Sequence, residues 1–410
     1  MGGPDEARPT LGIGMVGYAF MGRVHSQAWR SVPAFFDLPV RPVMAALCGR
    51  SAEGVARAAD QMGWAAVETD WRALIARDDV DVVDICTPGD SHAEIAIAAL
   101  RAGKHVLCEK PLANTVAEAE AMAEAAREAA ARGVHAMVAF NYRRVPAIAL
   151  AARWVAEGRL GQIRHVRAQY LQDWIVDPDF PLVWRLSREL AGSGALGDIG
   201  AHIIDTAQFI TGQHLTDVSA LTETFVKERP LAESSAGLSA EAGRDGDGDG
   251  DGDGGAGRPT GTVDVDDAAL FIGRLSGGGL ASFEATRFAT GRKNALRIEV
   301  NGSAGSLAFD FEAMNELWFH DHALPAEEGG FRRILVTESG HPYAGAWWPP
   351  GHGLGYEHTF THEVRDFVEA IGTGGAPAPS FDDGLRVQRV LAAVERSAAD
   401  QSRLTPVEDK

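Results

Sequence analysis

The sequence predicts an α/β fold in two parts. A doubly wound parallel sheet comes first, and an α+β domain with a large, mostly antiparallel sheet follows. Three observations carry this expectation. From residue 11 to about residue 142, short apolar strand candidates alternate with helical patterns, the spacing of a parallel sheet with crossover helices. Beyond residue 163 most strand candidates follow one another with only turn residues between, as antiparallel neighbours do. The junction of the first strand and first helix is glycine-rich, "TLGIGMVGYAFMGRVHS" at 10–26.

The first strand is the run 11–16, "LGIGMV". A literal G-x-G-x-x-G begins at Gly12, but its leading strand would be "EARPTL", which is charged and contains Pro9. Proline cannot donate within a sheet. With Gly17 as the first glycine, the strand is apolar, as one covered on both faces should be, and a helix follows from about residue 20. Gly17, Ala19 and Gly22 then form a phosphate-binding turn, with a methyl at Ala19 where glycine allows the closest approach. Further strands are expected at 40–48, 80–86, 105–108 and 134–140, with helices at 51–62, 91–102 and 115–131. A helix at 146–157 leads into the second part. There, strands are expected at 163–174, 218–226, 268–275, 280–288, 296–300, 306–311 and 334–336, with helices at 198–211, 356–371 and 381–397.

The expected domains are 11–143 and 144–410, with a disordered tail at 1–10 and a disordered insert at 231–262. The insert contains "DGDGDGDGDGG" and has too little apolar surface to order itself. Asp245, Asp247, Asp249 and Gly250 copy the start of a calcium loop, but its twelfth position is Ala256 rather than a bidentate glutamate. No metal is expected.

A chain of 410 residues has room for two domains, and 45% hydrophobic with 23% charged residues describes a water-soluble protein. A net charge of -19 argues against nucleic-acid binding. No run of about 18 apolar residues and no leader with a basic start is present, so no membrane partner is expected. Cys48, Cys86 and Cys108 lie in or beside strands without ligand-like spacing. Reduced, buried thiols of this kind suit the cytoplasm.

Three clusters can carry chemistry. "CTPGDSH" at 86–92 and "LCEKPLAN" at 107–114 both end strands, where ligands bind in open parallel sheets. Lys110 is a usable cation for an alkoxide or a phosphate. "GSGALGDIGAHIIDTAQFITG" at 192–212 puts Asp198 and His202 one helical turn apart, about 40° round the axis, with Asp205 a turn further on. A neutral imidazole can take a hydroxyl proton, and a carboxylate one turn away can hold the imidazolium. A capping Asp198 with a structural His202 is the alternative. Glycines 197 and 200 in the first turn argue against a helix built for stability alone. Together the pieces suit oxidation of a secondary alcohol, with a nicotinamide accepting the hydride and the protein removing the proton.

The Gly17–Gly22 turn, "TP..SH" at 87–92, "EKP" at 109–111 and "GDIGAHIID" at 197–205 resemble, in this order, the Gfo/Idh/MocA oxidoreductase family. "YLQDW", "VKERPL", "VDDA", "FEATRFATGRKNA", "HPYAGAWWP" and "GHGLGYEH" look like its levoglucosan dehydrogenase branch. The resemblance implies a Rossmann-type first domain. It implies Lys110 as the group steadying the alkoxide, and His202 as general acid/base supported by Asp198. It also implies cofactor contacts from Gly17, Ala19, Phe20, Met21, Gly22, Arg50, Ser51, Thr87, Pro88, His92, Glu109 and Lys110. Candidates for a sugar pocket are Tyr142, Arg143, Asp173, Trp174, Arg185, Tyr343 and His358. The implied reaction is oxidation of a pyranose-like sugar at one secondary alcohol, C3 in levoglucosan. Inositol oxidation, a lyase that retains its nicotinamide, and a non-catalytic regulator are the alternatives. Gly89 departs from the family, which often has Asn after "TP". The second strand ends "ALCGRS" with no acid for the ribose hydroxyls, so Arg50 and Ser51 leave NADP open, while the branch favours NAD. An antiparallel sheet with an open face favours a homodimer or homotetramer.

Overall fold

The computed structural model describes residues 8–231 and 259–408. The Asp-Gly run, its calcium-loop reading and residues 1–7 of the expected tail lie outside the described residues. The first sheet has six strands: β1 (Thr10–Val16), β2 (Arg41–Cys48), β3 (Ala66–Glu68), β4 (Val82–Ile85), β5 (His105–Cys108) and β6 (Ala136–Val138). Their order is β3-β2-β1-β4-β5-β6, and every pairing is parallel. The crossovers carry α1 (Phe20–Phe35), α2 (Ala52–Met62), α3 (Trp71–Ile75), α4 (His92–Arg101) and α5 (Val116–Ala130). The order reverses between β1 and β4, and such a switch point opens a crevice at the strands' carboxyl ends. Strand β3 is only three residues long and only partly buried, too short to give a periodic signal, and it was not expected.

After α6 (Pro146–Ala156) the chain builds a nine-stranded sheet. Its strands are β7 (Ile163–Leu171), β8 (Leu215–Glu223), β11 (Ala268–Leu275), β12 (Leu280–Thr286), β13 (Ala295–Gly302), β14 (Gly305–Asp310), β15 (Glu316–Asp321), β16 (Arg332–Leu335) and β17 (Thr405–Pro406). The order is β16-β15-β14-β13-β7-β12-β11-β8-β17, antiparallel except for β7 with β12. Strand β15 was not expected. A two-stranded ribbon, β9 (Glu228–Pro230) with β10 (Thr260–Thr262), stands apart. This ribbon corrects part of the disorder expectation. Leu231 bridges Leu182, and Thr260–Thr262 is a paired strand. At the other end, Thr10 belongs to β1.

The remaining helices are α7 (Arg188–Ala191), α8 (Ala201–Thr211), α9 (Tyr356–Thr373) and α10 (Phe381–Ala399). Helices α8 and α10 lie on the large sheet, while α9 packs on α1 and α10 also packs on α5. The last two helices therefore bind the halves together, and one apolar core runs through both. The expected helix at 198–211 starts differently. A single π-helical turn, Leu196–Gly200, precedes α8. Such turns cluster at functional sites.

Candidate active site

The glycines near β1 divide by geometry. Gly12 and Gly14 lie inside the strand. A Cβ on Gly12 would stand 1.9 Å from the Asp79 carbonyl oxygen, so this glycine serves strand packing. Gly17 has φ +102°, and a Cβ there would stand 2.6 Å from the Cys86 carbonyl oxygen. A Cβ on Gly22 would stand 2.3 Å from the carbonyl oxygen of Gly17. The turn therefore begins at Gly17. Ala19 has extended backbone at φ -73° and ψ -155°, which any residue adopts, so its methyl costs no strain. It precedes α1, whose first turn has no side-chain cap and no acid. Open amides at a helix N-terminus suit a pyrophosphate. Phe20 and Met21 open α1 beside them, Phe20 being exposed. The turn and the open helix end fit a dinucleotide.

At the end of β2, Arg50 is exposed and Ser51 caps α2, accepting from the Gly54 amide at 3.1 Å. Tyr18, absent from the sequence-based candidates, packs against Gly49. A Cβ on Gly49 would meet its ring at 2.0 Å. After β4, Ser91 donates to the Thr87 hydroxyl at 2.7 Å, and Pro88 opens the short 3-10 turn Gly89–Ser91. Two expected cofactor contacts point elsewhere. The buried His92 ring sets its nitrogens 3.0 Å from the Pro111 carbonyl and 2.9 Å from the Thr87 carbonyl, making it a strut between two loops. The Glu109 carboxylate turns inward to His25 at 3.0 Å.

Lys110 crosses between the halves. Its Nζ donates to the Asp198 carbonyl at 2.6 Å and lies 3.5 Å from Oδ1 of the same residue. Arg287 Nη1 stands 3.7 Å from Asp198 Oδ2. The expected Asp198–His202 partnership acts through charge, the carboxylate favouring the imidazolium, rather than through a direct contact. No hydrogen bond joins the two among the described residues, because the carboxylate faces two cations instead. Burial alone would raise the Asp198 pKa, but Lys110, Arg185 and Arg287 outweigh it and hold the group at about 2. Arg287 is fully buried, with Nη2 donating to the Asp266 carbonyl at 3.2 Å. The Asp266 carboxylate accepts from Gly194 and Leu196 amides, each at 2.8 Å, and so pins the start of the turn carrying Asp198. Arg287 and Asp266 were missed, although they sit in the distinctive strings "FEATRFATGRKNA" and "VDDA".

His202 is 7% exposed, boxed by Tyr142 at 4.7 Å, Tyr170 at 6.0 Å and Phe140 at 6.1 Å between ring centroids. Its Nδ1 is sealed and has no hydrogen-bond partner among the described residues. Burial first, and then Lys110, push its pKa well below 6.5, while Asp198 opposes them. The ring is neutral at physiological pH. Asp205 points away from this group. It makes a buried two-point ion pair with Arg143 at 2.8 and 2.5 Å, which withdraws Arg143 from any sugar pocket.

The other pocket candidates separate. Tyr142 belongs to a polar chain: its hydroxyl is 2.5 Å from that of Tyr170, which donates to Asn294 at 2.6 Å. Gln172 donates to Asn294 at 2.9 Å and accepts from Trp174 Nε1 at 3.1 Å. The Trp174 ring lies 5.5 Å from the Arg287 guanidinium, and the Arg185 guanidinium covers Trp184 at 4.4 Å. Tyr142 thus packs on His202, Arg185 acts on Asp198 through its charge, and Trp174 meets Arg287, which stands beside Asp198. Asp173 is held by Lys293 at 2.8 Å and the Gly291 amide at 2.9 Å. Two candidates fall elsewhere. The Tyr343 hydroxyl donates to Asp366 at 2.8 Å with its ring stacked on His362, and His358 Nδ1 accepts from the Gly355 amide at 3.0 Å, capping α9. Gln172, Tyr170 and Asn294 were also missed, although they sit in the distinctive strings "YLQDW" and "FEATRFATGRKNA".

A run of ring contacts links the phosphate turn to His202. Phe20 meets Tyr356, Tyr356 meets Phe311, Phe311 meets Tyr142 and Tyr142 meets His202, with centroids 4.7 to 6.4 Å apart. The phosphate turn and the imidazole are therefore joined through one continuous aromatic layer, and Lys110 reaches Asp198 one helical turn before that imidazole.

Residues 11–139 match a family described as "Oxidoreductase family, NAD-binding Rossmann fold", and residues 148–308 match "GFO/IDH/MocA C-terminal domain". Levoglucosan dehydrogenase of Pseudarthrobacter phenanthrenivorans is 43% identical over 396 residues, which is 96% of this chain and 97% of that one. A solved oxidoreductase domain protein from Kribbella flavida shares 62% identity with a TM-score of 0.90, over 98% of this chain and 100% of its own. A solved levoglucosan dehydrogenase in complex with NADH and levoglucosan has TM-score 0.88 at 40% identity, over 98% and 100%. With both halves matched and the two sheets in that arrangement, the chain belongs to the Gfo/Idh/MocA oxidoreductase family.

Proposed function

We propose that this protein is an NAD-dependent dehydrogenase that oxidises a secondary alcohol of a pyranose-type sugar, levoglucosan at C3 to the 3-keto sugar. The observation that carries the reading is the Lys110 ammonium, reaching from one half of the molecule to Asp198 beside a neutral His202. Bound NAD supplies the acceptor for the carbon-bound hydride. His202, uncharged, accepts the hydroxyl proton and passes it to solvent. Lys110 donates to the substrate oxygen and steadies the alkoxide as charge develops. Asp198, fully ionised and held by Arg287, keeps that ammonium in place. The phosphate turn, Arg50, Ser51, Thr87 and Pro88 border the cofactor, while Tyr142, Gln172, Trp174, Arg185 and Asn294 border the sugar. An aromatic face beside amides and a guanidinium suits a ring with one apolar side and several hydroxyls. Residues 11–143 serve the cofactor and 144–410 the substrate.

The outer face of the large sheet supports a homodimer or homotetramer, since Leu221, Ile272, Leu270 and Trp318 are 65, 60, 49 and 38% exposed there. No helix of the described residues is long and apolar enough to cross a membrane. Three buried free cysteines support a cytoplasmic location. The test is to mix the protein with levoglucosan, inositol or glucose, each against NAD or NADP, and follow reduced nicotinamide. Levoglucosan with NAD gives the fastest rate. Reduction with inositol alone redirects the substrate, and no reduction with any pair ends the dehydrogenase reading.

A further inference from the structure

Asp84 sits in the middle of β4, fully buried between Val83 and Ile85. A carboxylate there is costly unless charge and hydrogen bonds compensate it. The compensation comes from α1. Trp29 Nε1 donates to Asp84 Oδ2 at 2.7 Å, and His25 Nδ1 stands 3.0 Å from both carboxylate oxygens. The other ring nitrogen, Nε2, stands 3.0 Å from Glu109 Oε1. His25 is 1% exposed and Glu109 5% exposed. Glu109 Oε2 in turn accepts from the Lys110 amide at 3.1 Å. The chain of contacts runs Asp84, His25, Glu109, Lys110, and the next polar contact is Lys110 Nζ with Asp198.

Carboxylates only accept hydrogen bonds. A ring with an ionised carboxylate against each nitrogen satisfies both contacts only by carrying both protons, as an imidazolium. The surroundings agree. Burial depresses the His25 pKa, yet the charge and hydrogen bond of Asp84 carry the balance well above 6.5. From α9, the Phe360 ring covers His25 at 5.5 Å between centroids, and Glu363 is fully buried with neither carboxyl oxygen bonded among the described residues. Burial pushes the Glu363 carboxyl up to about 8, against the pull of His25 and Arg144, so it stays neutral near pH 7. The Cys86 thiol, 3.6 Å from Asp84, is raised by burial and neutral as well. The donor atoms of His25, Asp84 and Cys86 lie within 4.8 Å of one another, close enough to hold a cation. With both ring nitrogens already facing carboxylates, the imidazolium itself is that cation.

We propose that His25 is a permanently charged strut between Asp84 and Glu109, and that it positions the Glu109–Lys110 turn for catalysis. Its positioning role rests on the dehydrogenase reading of Lys110; its charge state does not. Glu109→Gln is the sharp variant. Both groups that face Glu109, the His25 Nε2 proton and the Lys110 amide, are donors, so an amide satisfies both only if Nε2 gives up its proton.

Two measurements test this. In protein labelled with 15N at histidine, one ring shows both N–H protons far downfield, unchanged between about pH 5 and about pH 9, and this signal is missing in His25→Asn. A His25 ring with one unprotonated nitrogen at neutral pH overturns the proposal, whether a neutral tautomer or a stoichiometric bound metal is the cause. In Glu109→Gln the second N–H signal titrates or vanishes. Its kcat falls about tenfold or more while KM for the sugar moves less than about threefold, the mark of lost orientation rather than lost binding. A wild-type kcat in Glu109→Gln overturns the positioning role. Absence of any sugar oxidation by the wild-type protein is a different failure, because it leaves the spectrum intact.

Discussion

Two buried histidines flank Lys110, and their surroundings drive them to opposite charge. His25 is 1% exposed and His202 is 7% exposed, so the loss of water works against the charged form in both. The first meets two carboxylates at 3.0 Å and is held protonated. The second lies among aromatic rings with Nδ1 unpartnered, and the one nearby carboxylate is shared between Lys110 and Arg287. Burial alone does not set a histidine's role. What decides is whether an anion is free to answer it. The first ring is suited to hold a loop, and only the second can take a proton.

The largest expected effect falls on the neutral ring and the lysine beside it. His202→Ala and Lys110→Ala each lower kcat about a hundredfold or more, the usual size for a lost general base or a lost charge at a developing alkoxide. Steady-state assays of reduced nicotinamide measure this. Wild-type turnover in either variant would erase the distinction between the two histidines.

A second, smaller effect probes the anionic side of the comparison. Glu363, beside the His25 strut, has its pKa raised from 4.5 to about 8 by burial. The folded protein therefore binds a proton that the unfolded chain has released. Stability from this group is complete below about 4.5 and is lost as pH rises through about 8, near 1.4 kcal/mol, or tenfold in the folding equilibrium, per pH unit. Glu363→Gln removes the dependence. Its melting temperature should match the wild type near pH 5 and exceed it near pH 8. A constant difference between the two proteins over that range means that Glu363 is compensated, and that the strut has a richer set of partners.

Much of the frame was legible in the residues. Gly17 was separable from the literal motif at Gly12 because a strand needs apolar length and rejects Pro9, and the φ of +102° at Gly17 follows. The places of Lys110, just past a strand end, and of Asp198 and His202, one helical turn apart, were legible because strand ends and helix turns fall at predictable positions. Their partners were not. Whether Asp198 faces His202 or two cations depends on Arg287, 89 positions away in the chain, and no local period reports that. Arg143, expected to touch sugar, is engaged by Asp205, a pairing across 62 positions that no local pattern reports. His92 and Glu109 misled for a related reason. They stand at the ligand edge in sequence, but their side chains turn into the protein to satisfy carbonyls and an imidazolium. β3 and β15 went unseen because three or six residues give too little pattern to outweigh their neighbours.

The finest distinction lies in the pH profile. If His202 is neutral because its box excludes water, its protonation sits well below 6.5. A free-enzyme base that must be neutral is lost only when pH falls through its own pKa. The kcat/KM for the sugar should then stay level as pH drops past 6.5 and bend only further into acid. Replacing Tyr142 by serine opens the box, since that ring packs edge-on at 4.7 Å. Easing the burial that dominates the shift moves the bend back towards the ordinary histidine value. If the wild-type bend already sits at 6.5 or higher, His202 is not the dry, neutral partner of the charged His25. If it sits lower and Tyr142→Ser raises it, the aromatic box is what separates the two rings.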